Sequence, residues 1–197
     1  MPWWVQKTQL VLKQYRTLNQ QVWRKGAYSI VPIRAKDRYV IMEWRNEQMY
    51  HLRQKEKLRK ENQDYYFQHV VEPLFDAVQP SQLLFSYLYE KDCIGYGGLV
   101  HINWQDRHAE ISFVIKTALE KKSFGLHWFT YLNLIEAVAF IELKLHKIHT
   151  YAYDLRPHLY PILESANYAL EARLKDHLLF EDGYRDILIH SKANPND

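Results

Sequence analysis

The segment from Glu110 to Tyr153 constrains this chain more than any other: an apolar run EISFVI, a basic stretch KKSFGL with one glycine, a long apolar stretch, and a second short run KIHTYAY. The two runs have the length and β-branched content of strands. Between them, His127 to Leu143 sets Trp128, Leu132, Leu134, Ile135, Val138, Phe140 and Ile141 on almost all sides of a helix, which predicts burial against a sheet. Strand, helix and strand in this order make a right-handed crossover, so the two strands are parallel neighbours. The strand-to-helix junction offers the unpaired N–H groups of a first helical turn, a pocket of phosphate size.

The remaining chain supplies an antiparallel frame for that unit. LLFSYLYE from Leu83, CIGYGGLVHI from Cys93 and HAEISFVI from His108 are three strand-like runs separated by polar turns, which predicts a meander. Gly95, Gly97 and Gly98 lie inside the middle run, where glycine marks a bulge or a close approach by another backbone. No helix follows them, so they are not a phosphate loop. A short strand is expected over Tyr28 to Ile33, a helix over Asp37 to Gln48, a helix over Asp64 to Val78 kinked at Pro73, a short helix over Pro157 to Ala166, and a final strand pair, Ala169 to Phe180 and Tyr184 to His190, around the turn EDG. Leu52 to Asn62, with KEKLRKE, reads as a solvated face or loop on which no function rests. Thr8 to Trp23 places Val11, Tyr15, Leu18 and Val22 at helical spacing, predicting an amphipathic helical extension over residues 1–27 ahead of a domain over residues 28–197.

Composition removes several function classes. Lys+Arg 26 against Asp+Glu 23 leaves +3, not the concentrated basic stripe of a phosphate-backbone binder, so no nucleic acid partner is expected. No uninterrupted apolar run reaches membrane-spanning length, and no membrane partner is expected. The single cysteine, Cys93, allows no intrachain disulfide and has no local cue for thiolate activation, which fits an inert thiol in a reducing cytoplasm. His146 and His149, three apart near a strand, point to opposite faces, and no metal is expected.

Several strings, taken in order, resemble the GNAT superfamily of acyl-CoA N-acyltransferases, and within it the branch of ribosomal-protein N-terminal and amino-sugar acetyltransferases. They are WRN at Trp44 to Asn46, IGYGGL at Ile94 to Leu99, AEISFVI at Ala109 to Ile115, LKLHKI at Leu143 to Ile148 and FEDGYRDILIHS at Phe180 to Ser191. The resemblance implies an α+β fold, a central mixed sheet made of an antiparallel meander plus one parallel crossover and flanked by helices. It also implies acetyl-CoA as co-substrate, a small-molecule or peptide amine as acceptor, and direct attack of that amine on the thioester. The cofactor would lie against Phe113, Val114 and Ile115 and on the loop Lys121, Lys122, Ser123, Phe124, Gly125, Leu126 and His127. That loop departs from the family's Gln/Arg-x-x-Gly-x-Gly/Ala pattern: one glycine remains, Gly125 is expected to permit part of the turn, and Lys121 and Lys122 add positive charge. Arg156 and Leu159 stand where the family often has an asparagine and a small residue, and Leu163 where many members have a thiolate-protonating tyrosine.

The resemblance places Glu110 as the first candidate base, working through a water, and His108, on the same strand face, as the second. Tyr160, one turn before Leu163, is the candidate acid. Trp44 and Arg45 are the candidate acceptor-binding residues, an arginine there being suited to a carboxylate or phosphate. The acceptor is an amino-sugar nucleotide or a protein N-terminus, the many tyrosines favouring the former. The alternative is a non-catalytic GNAT-like binding module with a degraded cofactor loop. A longer acyl chain would require a slot beside Phe113 and Trp128. The N-terminal helix offers a face to a second subunit, with a homodimer as the assembly to test.

Overall fold

A computed structural model describes residues 13–197. Eight strands form one sheet in the order β1-β2-β3-β4-β5-β6-β8-β7. In chain order the elements are β1 (Trp23–Lys25), β2 (Tyr28–Pro32), α1 (Arg38–Glu47), α2 (Lys60–Tyr66), a π-turn (Phe67–Val71) leading into α3 (Glu72–Leu74), β3 (Leu83–Tyr89), β4 (Asp92–Asn103), β5 (His108–Ile115), α4 (Thr117–Glu136), β6 (Lys147–Tyr153), α5 (Tyr160–Ser165), β7 (Ala169–Phe180) and β8 (Gly183–Ala193). The expected meander is present, β3, β4 and β5 pairing antiparallel, and β5–β6 is the parallel pair closed by α4.

That parallel pair is short. β5 and β6 pair only at His108↔Lys147, Ala109↔Ile148 and Glu110↔His149, whereas β5 stays paired to β4 as far as Ile115 and β6 to β8 as far as Tyr153. Beyond Glu110 the two strands therefore part. The glycines of IGYGGL let β4 sit tightly on its neighbours: a Cβ at Gly97 would overlap Ser112 O and lie 2.6 Å from Tyr131 Oη, and one at Gly98 would overlap Leu83 O. α4 fills the sheet face below, with Tyr131, Leu132 and Ile135 fully buried and the Phe113 ring stacked on Tyr131 at 3.9 Å. Thr117–Glu142, α4 with its π-turn extension, is long and apolar enough to cross a membrane by length and composition, yet 61% of its most apolar 18-residue window is buried in this core.

Four expectations need correction. Thr8 to Leu12 lie outside the described residues, but Lys13 to Val22 are not helical. The apolar spacing there is spent on tertiary pins: the Tyr15 hydroxyl donates to Leu84 O at 2.8 Å, Arg16 N donates to Phe75 O at 2.7 Å, and Gln21 Nε2 ties down the Tyr15 and Leu18 carbonyls. Tyr15, Leu18 and Trp23 are buried in the same core as the rest, and β1 extends the sheet, so the packed unit begins before Tyr28. The helix expected over Asp64 to Val78 runs instead from Lys60 to Leu74. Its π-turn covers His69, the carbonyl that Pro73 would otherwise strike, so the proline is absorbed without a break. The stretch Lys121 to Leu126 is not a loop but part of α4, because TALEKK is a run of good helix formers. The same helix leaves the α form at Glu136, seven residues before the expected end at Leu143, and continues as a π-turn over Ala137–Glu142.

Candidate active site

The parting of β5 from β6 builds the site. Lys116 N donates to Ile94 O at 2.8 Å, which fixes the ladder alternation: Ser112 and Val114 turn their backbone groups to β4, and Phe113 and Ile115 turn theirs the other way. On that side β6 has already left. Ile115 O accepts Gln48 Nε2 at 2.7 Å, while the Phe113 N–H and C=O and the Ile115 N–H face an open gap. In the element that follows, α4, the seventh residue, Ser123, leaves helical space (φ −147°, ψ 33°), so α4 is two helical pieces joined there. A second piece that starts at Phe124 has first-turn N–H groups, Phe124 to Leu126, with no carbonyl of their own piece to accept them. Lys121 and Lys122 are exposed beside this break.

These features fit a coenzyme A thioester. The donor's pantetheine arm is an extended chain with amide groups, which can pair with the unmatched edge of β5 as an added strand does. Its diphosphate suits a helix start with two lysines at hand. Gly125 does not make the turn: it has no positive φ, and a Cβ on it would meet the Ile162 side chain at an ordinary 3.5 Å. Ser123 makes the turn instead. His127 sends its side chain into the core, where it lies 3.3 Å from the Tyr87 hydroxyl and burial pushes its pKa down, so only its backbone belongs to this region.

At the parting of β5 and β6 lies a cleft of about 200 Å³, bordered by Arg45, Arg53, Glu110, Phe113, Tyr151, Tyr153 and Arg156, among others. Glu110 is in it with both oxygens engaged, Oε1 by Arg53 Nη2 at 2.8 Å and Oε2 by His101 Nδ1 at 3.0 Å. The Arg53 guanidinium also covers the Tyr151 ring at 4.3 Å. Arg45 donates from Nη1 to Tyr96 Oη at 2.6 Å and from Nε to Gln54 Oε1 at 3.0 Å. Arg156 is buried over the Phe124 and Trp128 rings, 3.5 Å from Glu120, and burial lowers its pKa. Burial would raise Glu120, but His51 and Arg156 outweigh it and hold the carboxyl below its ordinary range. His51 is itself pushed down by burial.

The other sequence candidates sit elsewhere. His108 shares the Glu110 strand face but borders a different cavity, with Lys147, His149 and Glu171. The Tyr160 hydroxyl donates to Asp154 Oδ1 at 2.6 Å, its ring stacks on His190, and burial followed by Asp154 pushes its pKa well up; it does not border the cleft. Trp44 is 7% exposed and packs in the core beside Arg45. Val114 is buried on the strand face of Glu110, and its backbone groups turn to β4, away from the gap. Burial pushes the Cys93 thiol up to about 12, consistent with an inert group. Sequence reasoning missed Arg53, His51, Tyr151, Tyr153 and Arg156. The alternation of KIHTYAY puts Tyr151 and Tyr153 on the face of His149, which was a usable signal; Arg53 was hidden in the charge run of Leu52 to Asn62.

A model of the acetyltransferase (GNAT) domain matches residues 30–180. The chain belongs to the GNAT acetyltransferase family. It is an enzyme that moves an acetyl group from acetyl-CoA to an amine. Solved GNAT structures share its fold. Spermidine N-acetyltransferase from Vibrio cholerae in complex with CoA and spermine aligns with a TM-score of 0.74 at 19% identity, covering 86% of this chain and 97% of that one. The dodecameric form of spermidine N-acetyltransferase from Vibrio cholerae aligns at 0.71 and 19% identity, covering 86% and 95%. No curated protein sequence matches the chain.

Proposed function

We propose that this GNAT enzyme acetylates a primary amine carried by an acidic small molecule, with an amino-sugar nucleotide as the acceptor class. Arg45 carries the proposal: it is a largely enclosed guanidinium in the cleft wall whose partners are a phenol and an amide, with no carboxylate among the described residues. A guanidinium removed from water without a counter-charge is costly, and an acidic ligand offsets that cost. Of the three arginines that border the cleft, Arg53 pairs with Glu110 and Arg156 with Glu120, which leaves the Arg45 charge unmatched among the described residues. Such a wall repels a polycation of the spermidine kind and attracts a diphosphate.

Acetyl-CoA supplies an acyl group on sulfur that an amine attacks directly. The Phe113 N–H is placed to hold the thioester carbonyl, and the Ile115 N–H to align the arm. An aliphatic amine near pKa 10 lacks about 3 units of deprotonation at neutral pH, about 4 kcal/mol, and Glu110 is the carboxylate in reach of the cleft to remove the proton, directly or through a water. Arg53 holds one of its oxygens. An acidic acceptor that draws Arg53 away frees that oxygen, so the same charge that selects the acceptor also releases the base.

Thiol release from acetyl-CoA, followed against a panel of amino-sugar nucleotides, N-terminal peptides and spermidine, tests this. Turnover is expected with the amino-sugar nucleotides and not with spermidine. Spermidine as the preferred acceptor would refute the acidic-acceptor reading.

A further inference from the structure

Arg45 borders a second chamber as well as the cleft. This chamber, of about 320 Å³, lies between α1, α2 and the sheet and is walled mainly by Ile33, Ile41, Leu58, Tyr66, Phe67 and Tyr96. It is more than a packing fault in an apolar core, because two amide side chains, Asn62 and Gln63, also border it. Gln63 donates its Nε2 to Arg38 O at 2.9 Å, and Asn62 accepts Arg59 N on its Oδ1 at 3.0 Å. Gln63 is buried and its Oε1 has no partner among the described residues, whereas Asn62 is exposed at the rim. The Tyr66 and Phe67 rings meet at 6.2 Å in an edge-to-face arrangement, and the Tyr66 hydroxyl accepts from Gln82 Nε2 at 3.2 Å.

From this arrangement we infer that the chamber seats the nucleobase of a nucleotide-linked acceptor, with Arg45 at its mouth on the linking diphosphate and the amine end in the cleft at Glu110. This rests on the acidic-acceptor reading above. Aromatic walls suit any flat ring, since stacking on a π-face is tolerant of ring type. The unmatched Gln63 acceptor distinguishes a nucleobase, whose edge carries N–H donors, from a plain hydrocarbon such as an acyl chain or an apolar amino-acid side chain, which would leave that oxygen unpaired. Arg45 borders both chamber and cleft without a carboxylate partner among the described residues, and Arg53 is the cleft arginine that an incoming diphosphate would draw from Glu110.

Calorimetric titration decides it. UDP, ADP, uridine, inorganic pyrophosphate and L-phenylalanine are titrated into the full chain under saturating CoA, so that the adenosine diphosphate site of the donor is already filled. A nucleoside diphosphate should bind at least tenfold tighter than pyrophosphate and than uridine. Arg45→Met should remove the advantage of UDP or ADP over uridine. Tyr66→Ala should remove the advantage over pyrophosphate. Asn62→Leu, at the rim of the chamber, replaces Tyr66→Ala should that variant lose its thermal transition, and should act the same way. Nucleotides binding no better than pyrophosphate would overturn the inference, as would tighter binding of L-phenylalanine than of either nucleotide. Failure of CoA itself to bind would count against the donor site, and the same titrations without CoA would still decide the chamber.

Discussion

Replacing Gly97 by alanine is expected to be among the most damaging single-methyl additions in this domain. Gly97 pairs with Phe85 on one side and Phe113 on the other, in the centre of the β3–β4–β5 meander. Its missing side chain is the space into which the fully buried Tyr131 reaches to donate from its hydroxyl to Ser112 O at 3.3 Å. An added Cβ would lie 2.6 Å from that hydroxyl and 2.9 Å from Phe113 Cα, and would overlap Ser112 O. Two costs follow: overpacking against backbone, about 1–3 kcal/mol, and displacement of a buried hydroxyl from its acceptor, about 1–3 kcal/mol. Together they give about 4 kcal/mol, which for a chain of this size lowers the melting midpoint by roughly 8–16 °C. Scanning calorimetry of Gly97→Ala measures it, and Gly125→Ala is the control: its Cβ meets Ile162 Cδ1 at an ordinary 3.5 Å inside a helix, so it should be neutral or stabilising by up to about 1 kcal/mol. Adding Tyr131→Phe to Gly97→Ala removes one of the two clashes, so the pair should be non-additive by at least about 1 kcal/mol. A Gly97→Ala midpoint within about 3 °C of the unmodified protein, or strict additivity in the double variant, would refute the packing argument.

Glu110→Gln should lower turnover roughly 10²-fold at neutral pH and recover as the pH approaches the amine's own pKa; a deficit constant across pH would remove Glu110 as base. Gly125→Pro deletes one first-turn donor of the second helical piece, and acetyl-CoA affinity by calorimetry should fall at least about tenfold with little loss of fold; unchanged affinity would place the diphosphate elsewhere. Burial lowers the pKa of His51, His127, His149 and His190. The unfolded chain therefore takes up protons first, so stability should be level from pH 8 to 7 and fall as pH drops through about 6.5. Denaturant titrations at stepped pH check this, and a stability that rises on acidification would contradict it.

Most of the frame was legible because it rests on local pattern. The alternation of EISFVI and KIHTYAY and the all-round apolar helix between them give the crossover, and KIHTYAY coincides with β6 residue for residue. The glycines of IGYGGL were legible as places of close approach, which the overlap at Gly97 and Gly98 bears out. What local pattern could not supply was competition from distant partners. Tyr15 and Leu18 carry helical spacing, but the edge of β3 and the carbonyl of Phe75 claim their segment. Lys121 and Lys122 look like loop residues until the helix formers before them are weighed. The arginines of the cleft come from three separate regions, around positions 45, 53 and 156, and nothing in one segment announces the other two.

The three-residue seam between β5 and β6 has a consequence for how the protein can be observed. Strand amides in the middle of a wide sheet exchange with deuterium slowly, yet the N–H groups of Phe113 and Ile115 sit at that depth facing the widening gap. They should exchange far faster than those of Ser112 and Val114, which point the opposite way into the ladder. A ligand arm laid along the strand would slow the two fast positions and leave the other two unchanged, so residue-resolved exchange reads occupancy directly, without a label on either molecule.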